Sequence, residues 1–128
     1  IMGHPEYQLQ RAVCKYLEAQ YPKVLFLSDT VASVKLTAMQ AVRNKAIQKK
    51  GFKTPDLIIF KPNFAYKGLM IELKVESPFK INGELKSSDH LKGQQESLEK
   101  LRELGYDARF SWGFEMTKLI IDNYLKNQ

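Results

Sequence analysis

Apolar positions change period several times along the chain, and each change marks an element. Leu9, Val13, Tyr16 and Leu17 recur at helical spacing and predict a helix from Pro5 to about Gln20. Pro5 suits its first turn, where a missing N–H does no harm. Tyr21-Pro22 ends that helix, and Val24 to Leu27 reads as a short strand, followed by a loop from Ser28 to Ser33. A looser stripe of Leu36, Met39, Val42, Ala46 and Ile47 predicts a second helix between Leu36 and Lys50, stopped by Gly51.

The pattern then tightens. Leu57-Ile58-Ile59-Phe60 is an unbroken apolar run with β-branched residues at its centre, the signature of a strand buried on both faces. Pro55 precedes it, and Asp56 stands at its entrance. Leu69 to Val75 predicts a partner strand, and the Pro62, Asn63 and Gly68 of the intervening loop make an antiparallel hairpin the simplest pairing. A loop or loose hairpin through Pro78 and Gly83 leads to a helix capped by Ser88 or Asp89, whose inward stripe is Leu91, Gln94, Leu98 and Leu101. Gly105 ends it. Tyr106 to Trp112 predicts a fourth strand and Glu115 to Leu125 a last helix, with Leu119, Ile120 and Tyr124 towards the core. The expected architecture is α/β: a single domain over residues 1–128, a sandwich around a mixed four-stranded sheet flanked by helices.

Composition adds two constraints. Cys14 is the only cysteine, which excludes an internal disulfide and a cysteine-based zinc site and suits a reducing cytosol. No apolar run is long enough for a membrane span, so no membrane partner is expected. The net charge of +6 biases the chain towards polyanions. Its distribution says more: between Asp29 and Glu72 the one acid is Asp56, while Lys35, Arg43, Lys45, Lys49, Lys50 and Lys53 fall in the same interval. These six are the candidate nucleic-acid contacts, chiefly to phosphate.

The candidate chemistry lies in the hairpin. Glu72 and Lys74 are two apart on a strand and point to one face, which also receives Asp56 when the strands pair. Two carboxylates, with a backbone carbonyl such as that of Leu73, offer the hard oxygens that Mg²⁺ prefers and leave positions for water and a phosphate oxygen. Lys74 then stands where it can orient a nucleophile and offset charge developing on a phosphodiester. Spacing alone is equally that of a solvated ion pair on an edge strand with a turn aspartate before it. Gln94 needs a partner on its apolar face, either within the core or in the site, and its neighbour Gln95 points elsewhere around the helix. Glu6 occupies the first turn of the opening helix, a favourable place for any carboxylate. His90, one turn before Gln94, is left outside the catalytic set.

Pro55-Asp56, Glu72-x-Lys74 and the Gln94 helix together resemble the PD-(D/E)xK nuclease superfamily, and within it the VRR-NUC (virus-type replication-repair nuclease) domain. The matching stretches are Glu6 to Leu17, Lys53 to Phe60, Gly68 to Lys74 and Gln94 to Tyr106. The resemblance implies a restriction-endonuclease-like fold and Mg²⁺- or Mn²⁺-dependent phosphodiester hydrolysis. It implies Asp56, Glu72 and the Leu73 carbonyl as metal ligands, Lys74 as the residue positioning the attacking water, Gln94 as the helix glutamine, and Glu6 as the acid contributed by the first helix, in both the catalytic and the metal set. It further implies action on DNA, branched DNA or Holliday junctions included, in phage or prophage replication, recombination or repair, within the bacterial cytoplasm. Lys53 stands where the family pattern has glycine, with Gly51 two residues earlier. Symmetric cutting of a junction needs two active sites, so a homodimer is the expected form, with the first helix or the loop aromatics Phe64 and Tyr66 as candidate contacts. Two rivals stay open at this level: a DNA-binding or assembly protein on a nuclease fold, and a ribonuclease.

Overall fold

The computed structural model describes residues 4–28 and 35–126. Helix α1 (Pro5–Gln20) is followed by β1 (Phe26–Ser28), α2 (Ala38–Ala46), β2 (Leu57–Ile59), β3 (Leu69–Lys74), α3 (Asp89–Glu103), β4 (Asp107–Trp112) and α4 (Phe114–Lys126). The sheet runs β1-β2-β3-β4, antiparallel across the first two pairings and parallel between β3 and β4, whose connection is α3. This is the expected mixed sheet flanked by helices, an α/β nuclease-like fold.

Alternation along β3 divides the interior in two. Leu69 and Ile71 join Leu57, Ile59, Val13, Leu17, Ile121, Tyr124 and Leu125 in a core under α1 and α4. Met70, on the opposite face, packs with Leu98, Leu101, Ala108 and Phe110 under α3. Each of the fully buried Leu and Ile side chains contributes on the order of 1.5–3 kcal/mol by leaving water, so both helical layers are held firmly. Glu72 and Lys74 share the parity of Met70, and the sheet therefore turns them towards α3.

Three expectations need correction, and the predicted Ser28 to Ser33 loop lies mostly outside the described residues, at 29–34. β1 starts at Phe26 rather than Val24, because a turn closed by Val24 N–H to Tyr21 O (3.0 Å) keeps the chain folded past Pro22. α2 stops at Ala46 instead of reaching Lys50, and buries nothing: Met39, Val42 and Ile47 are all exposed. A reciprocal cap sets its start, with Thr37 Oγ1 accepting from Gln40 N–H and Gln40 Oε1 accepting from Thr37 N–H. Among the described residues its apolar stripe is left exposed, so no buried face holds the helix together into the lysines beyond. In α4 it is Ile121, not Leu119, that enters the core; Leu119 is 60% exposed. Three consecutive apolar residues, Leu119-Ile120-Ile121, leave the helical phase undecided until α4 is laid on the sheet.

Candidate active site

Where β2 begins, Pro55 is buried and Asp56 follows one step before the Leu57–Ile71 pair, while Glu72 follows one step after it on β3. The two carboxylates are thus brought opposite each other on the face that α3 covers. Asp56 Oδ2 accepts a hydrogen bond from Leu73 N–H at 2.8 Å. Because the N–H and C=O of one strand residue turn to the same side, the Leu73 carbonyl is also directed towards Asp56. The next carbonyl, that of Lys74, turns the other way and accepts from Gly113 N–H at 3.0 Å.

Glu72 is 2% exposed, in mid-strand beside Phe110 of β4. Burying a carboxylate is expensive unless donors or a cation compensate it. Gln94 enters from α3 on the same side, 6% exposed, held in phase by Leu98 and Leu101. Gln95 instead lines a separate hollow with Phe79, Phe110 and Trp112, which resolves the choice between the two glutamines in favour of Gln94.

These residues line one cleft of about 250 Å³: Asp56, Glu72, Leu73, Lys74 and Gln94, with Glu6 from the first turn of α1. All five side chains expected from the sequence, and the Leu73 main chain, are brought together. Gln10 and His90 line it too. Gln10 is buried one turn after Glu6 and donates to Ser28 Oγ at 2.5 Å; the i, i+4 spacing from Glu6 was the available signal. His90 lies one turn before Gln94, and its imidazole is held below its ordinary pKa, first by desolvation, then by Lys53 and Lys74, with Asp56 pulling the other way.

The donor set fits a hard divalent cation. Among the described residues, no three His, Cys, Asp or Glu side chains form a ready metal cluster. Mg²⁺, however, uses one or two carboxylates and keeps water or substrate oxygens in its other positions, and Asp56, Glu72 and the Leu73 carbonyl supply that kind of partial shell. The buried Gln94 Oε1 finds no hydrogen-bond partner among the described residues. A buried acceptor of this sort calls for a water or another donor inside the cleft.

The six candidate nucleic-acid residues are all exposed, and Lys45, Lys49, Lys50 and Lys53 line a groove of about 1000 Å³ between the α2 segment and α3. Lys35 and Arg43 stand outside that lining. Lys53 joins groove and cleft, since its Nζ lies 3.4 Å from His90 Nδ1.

No family model and no curated protein matches the chain. Among solved structures it is similar to one described as a VRR_NUC domain protein, with 26% identity and a TM-score of 0.66, over 98% of this chain and 91% of that one. The chain shares the fold of that VRR_NUC domain protein. That likeness supports a nuclease domain family for the protein and agrees with the resemblance carried by Pro55-Asp56, Glu72-x-Lys74 and Gln94. No helix of the chain, among the described residues, is long and apolar enough to cross a membrane.

Proposed function

We propose that this VRR-NUC-type domain is a Mg²⁺- or Mn²⁺-dependent DNA endonuclease. The observation that carries the reading is the convergence of Glu6, Asp56, Glu72, Lys74 and Gln94 on one cleft beside a basic groove. Asp56, Glu72 and the Leu73 carbonyl would hold the ion, with Glu6 contributing from α1. When bound, such an ion supplies a Lewis acid for the phosphate and acidifies a water.

The chain's own groups do the rest. Leu73 N–H fixes the rotamer of Asp56 so that its second oxygen is presented without a search over conformations. Lys74 Nζ orients the attacking water and offsets the negative charge that grows on the phosphate. Gln94 Oε1 accepts from a water in the cleft and so helps to fix its lone-pair direction. Lys35, Arg43, Lys45, Lys49, Lys50 and Lys53 grip flanking phosphates, a contact that is insensitive to sequence and weakens with salt. Branched DNA, including four-way junctions, is the substrate class we favour, cut by a homodimer that presents two such clefts. Phage or prophage DNA metabolism in a bacterial cytoplasm is the setting that the VRR-NUC resemblance implies.

The deciding experiment incubates purified protein with Mg²⁺ or Mn²⁺ and supercoiled, linear and four-way-junction DNA, and separately with RNA. Metal-dependent cutting of DNA, fastest on the junction, is the expected result. Binding without cutting identifies a non-catalytic DNA-binding protein, and cutting confined to RNA identifies a ribonuclease.

A further inference from the structure

Lys53 is seated more specifically than a surface lysine. Its backbone N–H donates to Ser97 Oγ at 2.8 Å, and Ser97 is 1% exposed, so the residue is pinned to the middle of α3. From there its side chain runs along α3 directly over Gly93. A Cβ at Gly93 would stand 2.6 Å from Lys53 Cε, closer than real Cβ contacts, and a tight 3.2 Å from Cδ, so the end of the lysine side chain would have to shift. Glycine is less favourable than alanine inside a helix, and here it opens a track for the lysine stem. The stem ends with Nζ at 3.4 Å from His90 Nδ1. An ammonium can only donate, so Nδ1 is the acceptor and the ring proton sits on Nε2. His90 itself lines the cleft that holds Asp56 and Glu72.

We propose that Gly93 and His90 are positioning residues for Lys53, which they hold at the mouth of the cleft as the contact to the substrate phosphate next to the scissile one. The assignment rests on the nuclease reading for the identity of the polyanion. An unseated lysine loses rotamer entropy when it is fixed on a phosphate; the glycine track and the imidazole remove part of that loss beforehand. The lowered pKa of His90 agrees, because a protonated ring could not accept from Lys53.

The test measures the salt dependence of binding to a fluorescein-labelled DNA duplex by anisotropy, in EDTA so that nothing is cleaved, alongside single-turnover cleavage in Mg²⁺. Lys53→Ala should lower the log–log salt slope by about one, the loss of a single phosphate contact. Gly93→Ala, which changes no charge and clashes only with the flexible end of Lys53, should lower it equally. The double variant should go no further. His90→Ala should follow, while His90→Asn, whose amide oxygen replaces Nδ1 as acceptor, should restore the wild-type slope. Circular dichroism shows that each variant has folded. Wild-type slopes for Gly93→Ala and His90→Ala overturn the proposal, as does an unchanged slope for Lys53→Ala. A wild-type protein that binds DNA but never cleaves it overturns the catalytic reading alone. One that binds no DNA overturns both.

Discussion

Leu73 N–H and Asp56 Oδ2 are joined by a 2.8 Å hydrogen bond at the point where β2 begins. That bond lets structure and chemistry be separated at Asp56. Asp56→Asn keeps an oxygen for Leu73 N–H but loses the charge, so it should melt within a few degrees of wild type while metal-dependent cleavage falls at least ~100-fold. Asp56→Ala should lose cleavage and also about 1 kcal/mol of stability. Melting curves and cleavage rates for the pair check this; wild-type cleavage by Asp56→Asn would remove Asp56 from the site.

Lys74→Ala should abolish cleavage, with a loss of at least ~100-fold, and leave DNA affinity nearly intact, because the proposed function assigns most of the phosphate contacts to the lysines that line the groove. Parallel binding and cleavage assays read the two effects. A variant cutting at the wild-type rate would show that Lys74 is only a strand lysine.

Removing divalent metal with EDTA should stop cleavage, and adding Mg²⁺ or Mn²⁺ should raise the melting temperature. Ligand at about 100 times its Kd adds roughly 2.7 kcal/mol, a shift that calorimetry resolves. Glu72→Gln, close in shape at a position that is 2% exposed, should abolish the metal-induced shift. An equal shift in that variant would place the ion elsewhere.

Away from the cleft, Asp122 ties α1 to α4. Tyr16 Oη and Tyr21 Oη both donate to its Oδ1 at 2.6 Å, and Lys118 approaches Oδ2 at 3.5 Å. Burial pushes the carboxyl up, but the two tyrosine hydrogen bonds and the Lys118 and Lys126 charges outweigh it and hold the pKa below its ordinary 3.8. A depressed folded-state pKa means that the carboxylate's contribution is full above the unfolded value and is lost as pH falls through the folded one. Asp122→Asn should therefore be destabilised by about 1–3 kcal/mol at neutral pH, with the gap to wild type narrowing below about pH 4. Urea titrations across that range measure it, and a gap independent of pH would contradict the assignment.

Most of the cleft could be read in the chain because its parts are local. Asp56 sits beside a strand start marked by Pro55, Glu72 and Lys74 share a strand face by parity, and Gln94 breaks an otherwise apolar helical stripe. Other features had no such local signal. The α2 stripe looked like a core face, yet Met39, Val42 and Ile47 are exposed. Gln10 had only its i, i+4 spacing from Glu6, which does not single it out until the fold puts it beside Ser28.

By itself the sequence determined the order of elements, the hairpin, the mixed sheet and the identity of the acids and the lysine, since period, turn residues and strand parity depend only on near neighbours. Only the tertiary structure decided what lies far apart in sequence and close in space. It laid Glu6 and Gln94 on the carboxylate pair, chose Gln94 over Gln95 and Ile121 over Leu119, and ran Lys53 along Gly93 to His90. Those choices belong to the packing of helices on a sheet, where rotation about a helix axis is fixed by the partner surface and not by the helix's own residues.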